Sequence, residues 1–175
     1  MVKLNKNTIK PDKMLSAVCG LYCPSCTLFI GNHEDPERLA ALTRRMGRTP
    51  EEMKCNGCRS DTLSFYCRSC KMKSCAKEKG IDFCSECDEY PCEALTAFKA
   101  EAAHRCDVWE SLDQIKSRGW EDWFVRMTDM TSCPECGTIN SAYDASCRKC
   151  GHNPGSGFFE KYREAVMDHL KKISG

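Results

Sequence analysis

Six times in this chain two cysteines stand two residues apart, at Cys23/Cys26, Cys55/Cys58, Cys67/Cys70, Cys84/Cys87, Cys133/Cys136 and Cys147/Cys150. A C-x2-C turn lets two thiolates converge on one ion at about 2.3 Å, with backbone N–H groups left to stabilise the sulfurs. Structural disulfides usually join distant segments, so this spacing points to metal ligation. With 16 cysteines in 175 residues, far above ordinary usage, the chain is expected to fold around its ions. The first ten residues are polar and lysine-rich, without the apolar stretch of a secretory signal. No run approaches the roughly 18 apolar residues of a membrane span. The expectation is a cytoplasmic chain whose thiols stay reduced.

Helix signals fill the space between the knuckles. Asp35-Pro36-Glu37 is a helix start, with Asp as N-cap and Pro at the first position, and Gly47 is the stop. Thr49-Pro50-Glu51-Glu52 opens a second helix. Pro91 opens another that runs toward Ala103, and Asp107 to Ser117 reads as the next. Trp120, Trp123, Phe124 and Met127 fall at i, i+3, i+4 and i+7, the stripe of a core-facing helix. The tail from Phe158 to Ile173 is amphipathic and is expected to pack on the helical core. The fold class expected is a small α+β, mainly helical, metal-stabilised domain with several cysteine-rich knuckles, plus a C-terminal β zinc ribbon and a terminal helix. Four segments follow: a flexible arm over 1–13, a cysteine-rich helical domain over 14–130, the ribbon over 131–154 and the helix over 155–175.

The ribbon has a complete ligand set of its own. Cys133, Cys136, Cys147 and Cys150 form C-x2-C-x10-C-x2-C, each knuckle ends in glycine, and four like ligands imply a closed structural site. The remaining twelve cysteines would fill three more sites, for about four zinc ions in all. One partition groups Cys55, Cys58, Cys67 and Cys70, then Cys75, Cys84, Cys87 and Cys92, leaving Cys19, Cys23 and Cys26 to find a fourth ligand in Cys106, His33 or His104. A second partition follows an internal repeat. Tyr66-Cys67-x2-Cys70-x4-Cys75 and Phe83-Cys84-x2-Cys87-x4-Cys92 superimpose at an offset of 17 residues, which suggests one unit used twice. Each triplet would then take an extra ligand from the Cys55/Cys58 knuckle. Cys19, Cys23 and Cys26 also have a C-x3-C-x2-C spacing that suits three corners of a [4Fe–4S] cluster, although the bacterial ferredoxin run is missing. Cys106 stands outside every knuckle and reads as a small buried hydrophobe.

Charge says less. The formal net charge is +1, but between Arg38 and Lys79 eleven Lys and Arg face four acids, and from Gly80 to Asp113 nine acids face Lys99 and Arg105. Basic side chains there compensate thiolates, and segment 38–79 offers a nucleic-acid contact in addition to the protein partner expected for such a module. No serine–histidine–carboxylate set and no phosphate-cradling glycine loop stands out. The reading from the residues is a non-enzymatic zinc-binding adaptor; its alternative is an iron–sulfur redox or catalytic protein with the cluster at Cys19, Cys23 and Cys26.

The ordered motifs also resemble a known family. Cys19-Gly-Leu-Tyr-Cys23-Pro-Ser-Cys26, Lys54-Cys55-Asn-Gly-Cys58-Arg59, Cys67-x2-Cys70, Cys75-Ala-Lys-Glu-Lys-Gly80-Ile-Asp-Phe-Cys84-Ser-Glu-Cys87 and Glu89-Tyr-Pro-Cys92 are similar to a cysteine-rich domain of unknown function found in anaerobic bacteria and methanogenic archaea. The following Gly119-Trp-Glu-Asp-Trp and the ribbon are similar to members with a C-terminal zinc ribbon, so the resemblance spans about residues 14 to 153. It implies metal binding without an assigned activity, and Cys106 lies outside the shared pattern.

Overall fold

The computed structural model describes residues 3–174. Nine α-helices occupy them: α1 Thr27–His33, α2 Pro36–Met46, α3 Pro50–Met53, α4 Phe65–Arg68, α5 Lys71–Lys79, α6 Glu93–Ala100, α7 Val108–Arg118, α8 Trp120–Thr131 and α9 Gly157–Ser174. Short 3-10 turns at Lys13–Leu15, Cys23–Ser25, Cys84–Glu86 and Ala103–Arg105 link them. None of these helices is long and apolar enough to cross a membrane.

Capping chemistry sets several boundaries. The Asp35 side chain accepts from the Arg38 N–H at the start of α2, and Gly47 closes it in the left-handed conformation at φ 58°. Thr49 and Glu52 form a reciprocal capping box around α3. The repeat seen in the sequence does not recur as structure. Its first copy spans α4 and α5, whereas its second copy is a 3-10 turn and a loop, with Cys92 as the N-cap of α6. Position 74 is Ser in the first copy, and the matching position 91 is Pro. Proline lacks the N–H and disfavours helix in the residue before it, so the second copy cannot continue as α5 does.

The α+β class expected from sequence is wrong: among the described residues there is no β-strand, and the C-terminal cysteine module is not a β ribbon. Thr138 makes a single bridge to Asn5, and Ile139 a single bridge to Ser132. The chain then turns back at once. The Asp144 N–H donates to the Ser141 carbonyl, and the Asp144 carboxylate accepts from the Ser141 N–H. A ladder needs consecutive pairs, and here the knuckle turns on both sides consume the available length.

Helix α8 organises the core. Trp123, 0 % exposed, and Phe124 project from it against Tyr22, whose ring meets Phe124 edge-on at 4.9 Å and Trp123 at 6.1 Å. The Tyr22 hydroxyl is 2.7 Å from that of Thr128. Because Tyr22 lies between Cys19 and Cys23, this packing fixes the first cysteine cluster to α8. Gly20 is held at φ 79°, and a Cβ there would come within 2.9 Å of Leu112, so the same cluster needs glycine to sit against α7. Leu4 is buried in this same core with Ile139 and Ala142. The Ile139 N–H donates to the Leu4 carbonyl at 2.9 Å.

Two polar groups tie the C-terminal elements down. Asp107 accepts from Ser111, Arg126 (2.8 Å) and the Tyr162 hydroxyl (2.7 Å), which joins α7, α8 and α9. His104 Nδ1 lies 2.6 Å from the Tyr143 hydroxyl, and Tyr143 stacks on His169. Burial, with Arg105 and His169 alongside, holds His104 down at about 4. A folded-state value below the unfolded value of about 6.5 means that acid favours the unfolded chain. Stability is therefore expected to fall as pH drops from about 6.5 to about 4, by up to roughly 2–3 kcal/mol. Urea titrations of His104→Gln across that range should show a flatter slope than the parent; an unchanged slope would contradict this assignment.

Candidate metal centres

The C-terminal cysteine quartet is built from two matching turns. Cys133 N–H donates to the Thr138 carbonyl and Gly137 N–H to the Cys133 carbonyl; Cys147 N–H donates to the His152 carbonyl and Gly151 N–H to the Cys147 carbonyl. Gly137 and Gly151 close them at φ 71° and 76°, a conformation that side chains other than glycine rarely adopt. The Cys133 and Cys150 sulfurs are 3.6 Å apart, as are those of Cys136 and Cys147, and all four lie within 4.8 Å of one another. A tetrahedral ion with metal–sulfur bonds of about 2.3 Å has sulfur–sulfur edges of about 3.8 Å. The four residues thus match the dimensions of such a site. Among the described residues no other group of three or more potential ligands is drawn together as closely.

Electrostatics favour a cation at that point. Burial opposes ionisation of Cys136, but hydrogen bonds from the Thr138 side chain and backbone, with the neighbouring thiols, bring it down to about 6. Backbone N–H groups of Cys150 and Lys149 outweigh burial at Cys147 and lower it. Burial raises Cys133. Cys150 is pushed up to about 12 despite the His152 N–H, first by Cys136. Cys136 and Cys147 are shifted toward the thiolate and Cys133 and Cys150 away from it; a divalent cation would offset the mutual repulsion of four thiolates.

The quartet is wired into the rest of the protein. Asn5 Nδ2 donates to the Cys136 carbonyl at 2.9 Å, Thr27 and Ser141 hydroxyls are 2.7 Å apart, and the Arg38 guanidinium meets Asp144 at 3.0 Å. Arg148 pairs with Glu34. Sequence reasoning missed the roles of Leu4 and Asn5; an isolated leucine in a lysine-rich arm was the available signal.

The other cysteines gather in the N-terminal half, around the first cluster. Cys19, Cys55 and Cys58 are buried. Burial raises Cys19 well above the usual thiol range, with Cys58, Cys70 and Cys84 as thiol neighbours. Burial raises Cys23 too, with Cys58, Cys26 and Cys67 beside it. Cys58 is thus a neighbour of both Cys19 and Cys23. Burial pushes Cys84 up to about 12, helped by the neighbouring Cys92, Cys75, Cys70 and Cys87 thiols. Lys79 Nζ lies 3.3 Å from Cys87 Sγ and 2.9 Å from Glu89. Cys106 has Lys99 and Asp107 as its charged neighbours, and His33 packs its ring on Phe29 with Nε2 3.2 Å from the Cys55 carbonyl.

Away from the cysteines, a broad depression of about 660 Å³ lies between α7 and α8, lined by Gln114, Arg118, Asp122 and Arg126 among others, with no cysteine or histidine. Comparison with curated proteins yielded no match, and none of the solved structures matched. Residues 15–97, which carry the eleven cysteines from Cys19 to Cys92, match the model of a family described as protein of unknown function (DUF3795).

Proposed function

We propose that this chain is a zinc-binding adaptor that folds around its ions and presents a fixed surface to a protein partner. The observation that carries the reading is the C-terminal quartet: four sulfurs within 4.8 Å of one another fill every corner of a tetrahedron. A closed four-thiolate site leaves no position for water or substrate, so its role is to hold structure. Cys133, Cys136, Cys147 and Cys150 would bind the first ion. The cysteines from Cys19 to Cys92 would bind the others, with the Cys55/Cys58 and Cys67/Cys70 knuckles among their ligands.

The adaptor surface is best sought at the end of α2. Arg44, Arg45 and Arg48 are exposed there beside Met46, which is 41 % exposed. Exposed arginine around an apolar side chain suits an acidic protein surface with a hydrophobic anchor. Full-length chain purified from its own cells should carry a protein that is lost on Arg44→Glu with Arg45→Glu, while the metal content stays the same. Retention of that protein by the double variant, or recovery of nucleic acid in its place, would overturn the assignment of this face.

A further inference from the structure

We propose that Cys150 is the point at which soft electrophiles and peroxide enter the C-terminal quartet, and that peroxide joins it to Cys133 as a disulfide and expels the ion. The inference rests on the reading of that quartet as a zinc site, and it adds a thiol-modification site to it.

The two turns that build the quartet share one hydrogen-bond pattern, but only the first is covered. Cys133-x2-Cys136-Gly137 and Cys147-x2-Cys150-Gly151 are closed by equivalent backbone bonds and by a glycine in the left-handed region. Asn5 and Lys6 lie over the first turn. Asn5 Nδ2 donates to the Cys136 carbonyl at 2.9 Å, and Lys6 N–H donates to the Gly137 carbonyl at 2.8 Å. A Cβ on Gly137 would meet the Lys6 and Asn5 side chains at 3.1 and 3.2 Å. Among the described residues, nothing comes within 4 Å of a Cβ placed on Gly151. The sulfurs follow the same division. Cys133 and Cys147 are 0 % and 4 % exposed, Cys136 is half-buried, and Cys150 alone of the four is exposed. With an ion holding all four as thiolates, they differ chiefly in access, and an accessible thiolate is the one that reacts.

Cys150 Sγ stands 3.6 Å from Cys133 Sγ, so a modified Cys150 has a resolving thiolate beside it. The Cys150 thiolate takes one oxygen from peroxide: an S–O bond forms, the O–O bond breaks and hydroxide leaves. The Cys133 thiolate then attacks that sulfur. An S–S bond of about 2.05 Å forms, and the S–O bond breaks to release a second hydroxide. Each hydroxide takes a proton. Two thiolates have then lost two electrons, one hydrogen peroxide has become two waters, and the quartet keeps only Cys136 and Cys147 as ligands. Two thiolates do not make a closed tetrahedral site. Ile139 shares a core with Leu4 and Trp123, so the loss reaches the fold.

The test uses the full zinc-loaded chain, treated with limiting iodoacetamide and read peptide by peptide. Arg148 and Lys149 let trypsin separate Cys150 from Cys147, and Cys26 and Cys75, which are also exposed, fall in other peptides. Cys150 is expected to take label about tenfold faster than Cys133, Cys136 or Cys147. Hydrogen peroxide in place of iodoacetamide should give a Cys133–Cys150 disulfide, formed in step with zinc released to a chromogenic chelator. First label on one of the other three, or a first disulfide in this segment that omits Cys133 or Cys150, would overturn the inference and leave the zinc site standing. Labelling of all four that prior chelation does not change would show no zinc there, and would overturn the proposed function as well. Asn5→Ala with Lys6→Ala gives a second check. With its cover removed, Cys136 should be labelled about tenfold faster while Cys150 keeps its rate; an unchanged Cys136 rate would overturn the inference that cover sets the order.

Discussion

Cys133→Ser is expected to unfold much more than the turn that carries it. Structural zinc sites contribute about 10–16 kcal/mol of apparent binding free energy, against a net stability of about 5–15 kcal/mol for a typical domain. A site so large beside the margin can keep its effects local only if its surroundings are insulated. Here they are not. Cys133 is itself fully buried, Ile139 and Ala142 share a core with Leu4, Trp123 and Phe124, and Arg38–Asp144 and Thr27–Ser141 link the quartet to α2 and α1. The variant should lose about one metal ion per chain, and helical circular dichroism and the Trp123 emission should be lost together. Loss of one ion with an unchanged Trp123 spectrum would show that the quartet folds by itself.

Trp123→Ala carries the second large effect, through packing alone. The indole is fully buried between Tyr22 and Phe124, and truncating a buried Trp to Ala costs about 3–5 kcal/mol. The consequence reaches the metal region, because Tyr22 is the residue that holds the Cys19–Cys23 loop against α8. Trp123 Nε1 is buried without a hydrogen-bond partner, so Trp123→Phe gives up no hydrogen bond and removes an unpaired N–H that itself costs about 1–3 kcal/mol. Urea midpoints should place Trp123→Phe much closer to the parent than Trp123→Ala. Equal losses would mean that the indole N–H has a partner that the packing does not reveal.

What the residues disclosed in advance was local. The Asp35-Pro36 start, the Thr49-Pro50 start, the glycine stop at Gly47 and the Trp123/Phe124/Met127 stripe are short-range patterns, each fixed within a turn or two of chain, and they recur in the structure. The C-terminal quartet was legible for the same reason, since its four cysteines lie within one short segment. The β ribbon was not there to be read, because strand pairing depends on what lies opposite. Thr138 has only Asn5 for a bridge partner and Ile139 only Ser132. The grouping of the other cysteines was hidden for a related reason. Spacing says that two thiols of a C-x2-C turn lie near each other, but it does not say which thiols of other turns they meet.

The metal content of the purified chain separates the zinc-binding protein from an iron–sulfur one. Fifteen cysteines remain when Cys106 is set aside, and at about four thiolates per ion they provide for about four zinc ions. Elemental analysis of full-length protein prepared without oxygen, with its absorption spectrum, should find zinc near that number and no band in the visible. Iron and sulfide in comparable amounts, with absorption around 400 nm from thiolate-bound clusters, would contradict it and make the N-terminal cysteines a redox centre.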